Sequence, residues 1–180
     1  EFFSKNPIDN RYFVRKIIGE GAIGRTYLAI DGHRFNEPCV LKEFAPSGTD
    51  KIHLQKSQEL FKQESKILLQ IQHPQIPKLL ACFEWQDKLF LVQEYIHGKT
   101  YSQLLQERQQ QGRVFLEAEV IRLSLELLPV LKYIHDRNII HRDISPDNII
   151  QPIDRPPVLI DFGVGKLMVF DDEEESAQSI

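Results

Sequence analysis

The stretch "HRDISPDNII" (141–150) sets a cation, two carboxylates and a carboxamide between two apolar segments. His141, Arg142, Asp143, Asp147 and Asn148 make half of it strongly polar or ionisable. Asp143 and Asn148 flank Ser145-Pro146, and a turn stiffened by proline can aim both side chains the same way. So placed, Asp143 can take a proton from a hydroxyl group, and Asn148 can offer its carbonyl oxygen to a hard cation. Arg142, next to Asp143, reads as a charge clamp. The plain alternative is an Asx-rich loop that caps its own backbone.

Three other stretches bear on the same chemistry. In "LIDFGVGK" (159–166), Asp161 ends an apolar strand. Beside Asn148 it gives a pair of oxygen ligands suited to Mg²⁺, whereas alone it is a turn aspartate. In "GEGAIGRTY" (19–27), Gly19, Gly21 and Gly24 fit G-x-G-x-x-G. The dinucleotide fingerprint needs a helix after its glycines, but here the residues that follow alternate as a strand. The glycines therefore occupy a hairpin turn, which is either ordinary or lets backbone N–H groups approach a polyphosphate. No G-x-x-x-x-G-K-[ST] occurs, which excludes a P-loop. In "CVLKEF" (39–44), Lys42 shares a strand face with Val40 and Phe44, and an ammonium on an inner face needs a partner. Glu64 lies four residues after Leu60 and four before Leu68, within the apolar stripe of a helix, where a carboxylate is costly unless paired. Lys42 and Glu64 explain each other. Taken separately, they are a snorkelling lysine and a stripe-edge glutamate.

With 180 residues and a 42% apolar fraction, the chain can build one medium domain or two small lobes. The net charge of −4 owes most to "DDEEE" (171–175), and without that run the chain is nearly neutral. Clustered lysines and arginines of the kind that bind nucleic acid are lacking. No apolar run nears the ~20 residues of a membrane span, and no signal peptide is evident. Cys39 and Cys82 sit in apolar strand-like stretches and read as buried, reduced thiols rather than a metal site. The chain opens on Glu1 without a methionine and reads as a piece of a longer protein.

Periodicity gives the order of elements. Residues 11–30 read as strand, glycine turn, strand, and 38–44 as a further strand. Leu60, Phe61, Ile67, Leu68 and Ile71 set a helix over 57–72. Strands follow near 79–84 and 89–95, then helices over 100–110 and 117–135. Pro129 inside the last helix bends it or costs about 3 kcal/mol. The runs "II" (149–150) and "VLI" (158–160) frame a Pro-rich hairpin loop. The polar, acidic segment after Gly165 reads as mobile. A strand-rich first half and a helix-rich second half leave a cleft between lobes as the natural ligand site.

Together, and in this order, these motifs resemble those of the eukaryotic-like (Hanks-type) serine/threonine protein kinases of bacterial type. The resemblance implies an α+β, two-lobed fold. It assigns residues 1–10 to an N-terminal extension, 11–97 to a β-rich lobe with one helix, and 98–180 to part of a mainly helical lobe. It also implies ATP and Mg²⁺ as cofactors, a protein serine or threonine hydroxyl as acceptor, and a cytoplasmic location. Asp143, Lys42, Glu64, Asn148 and Asp161 become the catalytic set, with Asn148 and Asp161 as metal ligands. Nucleotide contacts fall to Ile18, Gly19, Glu20, Gly21, Ala22, Ile23, Gly24, Arg25, Thr26, Val40, Lys42, Gln93, Glu94, Ile96, Ile150 and Asp161. "LVQEYIHG" (91–98) matches the hinge, with the Glu94 carbonyl and Ile96 N–H on the adenine edge and Gln93 as gatekeeper. Arg142 implies activation through a phosphate, for which Ser176 and Ser179 are the available hydroxyls, although "DDEEE" would repel it. Thr26, Val40 and Ser145 depart from the usual valine, alanine and lysine, and Ser145 lacks the positive charge that faces the transferred phosphate. The family's A-P-E segment does not occur in these 180 residues, so turnover by them alone is expected to be slight. The other readings are a nucleotide-binding pseudokinase scaffold and a small-molecule kinase of related fold.

Overall fold

A computed structural model describes residues 6–21, 24–45, 51–163 and 165–167. Alternating residues at the start of the chain form β1 (Tyr12–Gly21) and β2 (Gly24–Asp31), an antiparallel pair with register breaks between Val14 and Lys16 and between Ile17 and Gly19. Such bulges add local twist near the glycine turn. With β3 (Glu37–Phe44), β4 (Leu79–Trp85) and β5 (Lys88–Glu94) they form a five-stranded antiparallel sheet in the order β1-β2-β3-β5-β4. Helix α1 (Lys51–Gln70) lies against this sheet. It begins six residues before the expected 57 because the apolar residues of its first turns, Ile52 and Leu54, are spaced by two and continue no helical stripe.

The second half contains β6 (Gly98–Thr100), α2 (Tyr101–Gln110), α3 (Glu117–His135), β7 (Ile139–Ile140), a 3₁₀ turn over Pro146–Asn148, β8 (Ile149–Pro152), β9 (Val158–Leu159) and β10 (Lys166–Leu167). The fold is α+β, as expected. The hairpin β8–β9 gains β6 as a third strand, and β7 pairs with β10. Strands of two or three residues are too short to show alternation, so β6, β7 and β10 were not foreseen. Thr100 caps α2 through its hydroxyl, and Gln103 returns the bond to the Thr100 N–H. Pro129 is accommodated inside α3 because it lies on the exposed side, as does Leu125, whose carbonyl loses an N–H donor.

Two apolar clusters hold these elements. One joins Ile67 and Leu68 of α1, and Ile71 just past its end, to Leu127, Val130 and Ile134 of α3, and includes Ile139, Ile149, Leu159 and Phe162. It fixes the sheet-bearing half to the helical half. The other fills the far face of the sheet with Tyr12, Tyr27, Cys39, Leu41, Phe90 and Val92, extended by the Tyr12–Phe83 and Phe83–Phe90 stacks at 5.3 and 5.2 Å. Burial pushes the Cys39 thiol up to about 12. Cys82 is exposed, contrary to the expected burial. Phe83 takes the core side of edge strand β4, so the preceding residue faces the other way.

Val120, Ile121, Leu125 and Leu128 leave an apolar stripe of α3 exposed. Among the described residues no helix is long and apolar enough to cross a membrane. Leu41, fully buried at the centre of the second cluster, tests the packing. Leu41→Ala is expected to lower the unfolding free energy by about 2–5 kcal/mol, read by denaturant titration.

Candidate active site

Strand alternation sorts β3 into two faces. Cys39, Leu41 and Glu43 are buried against the second cluster, while Val40, Lys42 and Phe44 take the opposite face. Register places Thr26 opposite Lys42, and Leu28 and Gln93 opposite Val40, so these side chains share that face. Glu64 rises from α1 on the side of Ile67 and Leu68 and is only 1% exposed. The Lys42 ammonium donates to Glu64 Oε1 at 2.6 Å and to Asp161 Oδ1 at 3.0 Å. Groups separated by 22 and 119 positions in the chain therefore meet at one nitrogen.

The electrostatics follow from this contact. Burial works against the Lys42 charge, but the two carboxylates outweigh it and raise its pKa. Burial holds Glu64 above the ordinary carboxylate value despite the pull of Lys42. Burial also opposes ionisation of Asp161, but Lys42 and the Gly163 N–H, which donates to Oδ1 at 3.1 Å, bring its pKa down. Asp161 holds a left-handed backbone (φ 65°), an uncommon conformation outside glycine. This turn sends Phe162 into the first cluster.

The 141–150 stretch is built around His141, whose ring lies edge-on to Phe162 at 4.7 Å and is buried. Its Nε2–H donates to the Ile160 carbonyl at 3.0 Å, and Nδ1 accepts the Asp143 N–H at 3.3 Å. Asn148 donates from Nδ2 to both the carbonyl and Oδ2 of Asp143, each at 2.9 Å. That leaves the Asn148 side-chain oxygen as an acceptor. The Ile160 N–H donates to the Asn148 carbonyl at 2.9 Å, which ties this loop to the residue before Asp161. Among the described residues Arg142 forms no ion pair, so the expected clamp on Asp143 is not made. Its left-handed backbone (φ 69°) turns the chain between His141 and Asp143.

A cleft of about 300 Å³ opens between these groups and the glycine hairpin. Gly19, Gly21, Gly24, Thr26, Lys42, Phe44, Leu60, Glu64, Asp143 and Asp161 line it, with Glu20 and Arg25 at its mouth in a 2.7 Å ion pair. A Cβ added at Gly24 would overlap the Glu43 carbonyl oxygen, so only glycine fits there. Ala22 and Ile23 lie outside the described residues, as do Ser176, Ser179 and the acidic run. Farther along the same sheet face, Gln93 is buried with its Nε2 unpartnered. Ile96 is buried, Ile150 is half-buried, and Ile18 is largely exposed at the hairpin. The Glu94 carboxylate accepts from Arg155 at 3.4 Å. No cluster of three His, Cys, Asp or Glu able to hold a metal occurs among the described residues. The acceptor oxygen of Asn148 and the Asp161 carboxylate are hard-oxygen donors, the type that suits Mg²⁺.

Sequence reasoning did not assign roles to His141, to Gln63, whose side chain donates to the Gly165 carbonyl, or to Glu43. The signal for Glu43 was present, because a carboxylate alternating with Cys39 and Leu41 must face the same core.

A glycine hairpin over a lysine held by two carboxylates, with an aspartate–asparagine loop across the cleft, is the arrangement expected of a protein kinase domain. The protein kinase domain family matches residues 12–179, and the chain belongs to that family. It is 41% identical over 157 residues to serine/threonine-protein kinase-like protein E of Synechocystis sp., covering 86% of this chain and 25% of that protein. It is 44% identical over 160 residues to serine/threonine-protein kinase PknA of Nostoc sp., covering 87% and 28%. The probable serine/threonine-protein kinase YbdM of Bacillus subtilis is 34% identical over 168 residues, covering 93% and 62%. The solved structure of PpkA-294 in its apo form superposes with a TM-score of 0.72 at 26% identity, covering 86% of this chain and 59% of that one. The chain thus spans about a quarter to three-tenths of the length of the cyanobacterial relatives.

His141 makes the fold sensitive to acid. Burial lowers its pKa from the ordinary 6.5, so its contribution to stability is complete above that value and is lost as pH falls through the lower folded value. Unfolding free energy is expected to decline as pH drops below about 6.5, and His141→Phe should flatten the slope. His73, lowered by burial and by Arg137, leaves a residual slope. Denaturant titrations across pH read both.

Proposed function

We propose that the parent protein transfers the γ-phosphoryl group of ATP to a serine or threonine hydroxyl of a protein substrate. The observation that carries this reading is the Lys42 nitrogen shared by Glu64 and Asp161 at the floor of a glycine-roofed cleft. Bound Mg·ATP supplies the phosphoryl group, whose phosphorus passes from the bridging oxygen of ADP to the acceptor oxygen. Lys42, oriented by Glu64, holds the α- and β-phosphates. Backbone N–H groups of the hairpin cover them, with Ile18 and Thr26 packing beside the base. Asn148 and Asp161 hold Mg²⁺. Val40, Gln93, Ile150 and the hinge at Glu94 and Ile96 frame the adenine. Asp143, already oriented by Asn148, receives the proton of the attacking hydroxyl.

The division into residues 11–97 and 98–180 is part of this proposal, with the five-stranded sheet and α1 in the first and both later helices in the second. A reaction that consumes ATP favours the cytoplasm. The intact Lys42, Glu64, Asp143, Asn148 and Asp161 favour catalysis over a pseudokinase scaffold. The exposed stripe of α3 favours slight turnover by these 180 residues by themselves.

In the parent protein, Asp143→Asn is expected to lower kcat by about 10²–10⁴-fold while the ATP KM stays within a few-fold. Incorporation of labelled phosphate into a general protein acceptor measures it, and activity like that of the wild type would remove Asp143 from its role. Lys42→Met should instead weaken ATP binding, because the phosphates lose the ammonium and Glu64 is left buried without its counter-ion.

A further inference from the structure

Glu43 is a carboxylate on the wrong side of its strand for catalysis. It points away from Lys42 into the aromatic cluster and is only 9% exposed. There the Tyr27 hydroxyl donates to its Oε2 at 2.6 Å and the Lys88 ammonium to its Oε1 at 2.7 Å. These bonds tie β3 to β2 on one side and to the start of β5 on the other. The backbone of the same residue bears the hairpin, because its carbonyl lies where a side chain at Gly24 would be. Across the hairpin tip, the Glu20–Arg25 pair is exposed on both sides and contributes little. The phosphate-covering hairpin is therefore placed from its base, at Glu43, next to the lysine that would grip the same phosphates.

We propose that Glu43 is a positioning residue that sets the hairpin and Lys42 in register for a triphosphate through its bonds to Tyr27 and Lys88. This rests on the nucleotide reading of the cleft and extends it to a residue outside the cleft face. Burial, with the bond to Glu43, pushes the Tyr27 phenol up to about 12, so it stays a donor at neutral pH. The Glu43 side chain lies on the opposite sheet face from Val40 and Gln93, where the base is assigned, so its loss should show only on ligands that carry phosphates.

The test is titration calorimetry of the 180-residue chain with ATP in Mg²⁺ and, separately, with adenosine. Glu43→Gln and Tyr27→Phe are each expected to weaken ATP about tenfold, with adenosine unchanged. Lys88→Gln, at a half-exposed site that leaves the core intact, should weaken ATP by a few-fold. Glu43→Ala, which removes both acceptors, should lose more than Glu43→Gln. If Glu43→Gln does not fold, Tyr27→Phe and Lys88→Gln decide the matter. An equal loss for ATP and adenosine, or no loss for either, assigns Glu43 to stability alone and overturns the proposal. A wild-type chain that prefers adenosine to ATP overturns the nucleotide reading, and the inference with it.

Discussion

One ammonium group organises this molecule. Lys42 lies in the sheet, Glu64 on the helix that crosses it, and Asp161 at the end of a strand pairing in the other half. A buried glutamate without its lysine, or the lysine without both acids, would leave uncompensated charge at the centre of the protein. The pairing therefore acts as a constraint on assembly as well as a piece of chemistry. Sheet, α1 and the Asp161 turn must arrive together, and the left-handed backbone at Asp161 is the local strain tolerated to bring that carboxylate to the lysine.

Apolar packing makes the convergence stiff. Ile67 and Leu68 lie one turn beyond Glu64 on α1 and share a cluster with Phe162, the neighbour of Asp161. The ring of His141 against Phe162 extends the same contact to the loop that carries Asp143. Moving α1 would thus disturb Glu64, Phe162 and His141 at once. Gln75, which donates to the carbonyls of Glu126 and Pro157, anchors the segment after α1 to the helical half in the same sense.

The parts that were legible in the sequence are those in which a residue type violates its local pattern. Lys42 in an apolar strand and Glu64 in an apolar stripe each signal a partner, and the fold supplies it. The long elements were legible by period, apart from the first turns of α1, where Ile52 and Leu54 lack helical spacing. Strands of two or three residues were not, because β6, β7 and β10 exist only through partners distant in sequence. Arg142 shows the opposite failure. Adjacency to Asp143 suggested a clamp, but successive residues in a turn diverge, and its backbone conformation sends the two apart. Cys82 was misread because apolar neighbours do not reveal which face of an edge strand is covered.

The charge balance of the cleft bears on what can enter it. Four carboxylates line it, those of Glu20, Glu64, Asp143 and Asp161, against the cations Lys42 and Arg25. Arg25 is spent on Glu20, and Lys42 is already shared by two acids. Ser145 adds no positive charge where the family usually has lysine. A bare triphosphate would meet net repulsion here, and at these separations in a partly desolvated site that repulsion is not screened away. In the proposed reading, Asp161 and Asn148 would hold a divalent cation that supplies the missing positive charge, and Lys42, bonded to Glu64 as well as to Asp161, would keep its tether to Glu64 while facing a phosphate. The acidity of the cleft thus favours a nucleotide that enters together with its metal over a bare triphosphate.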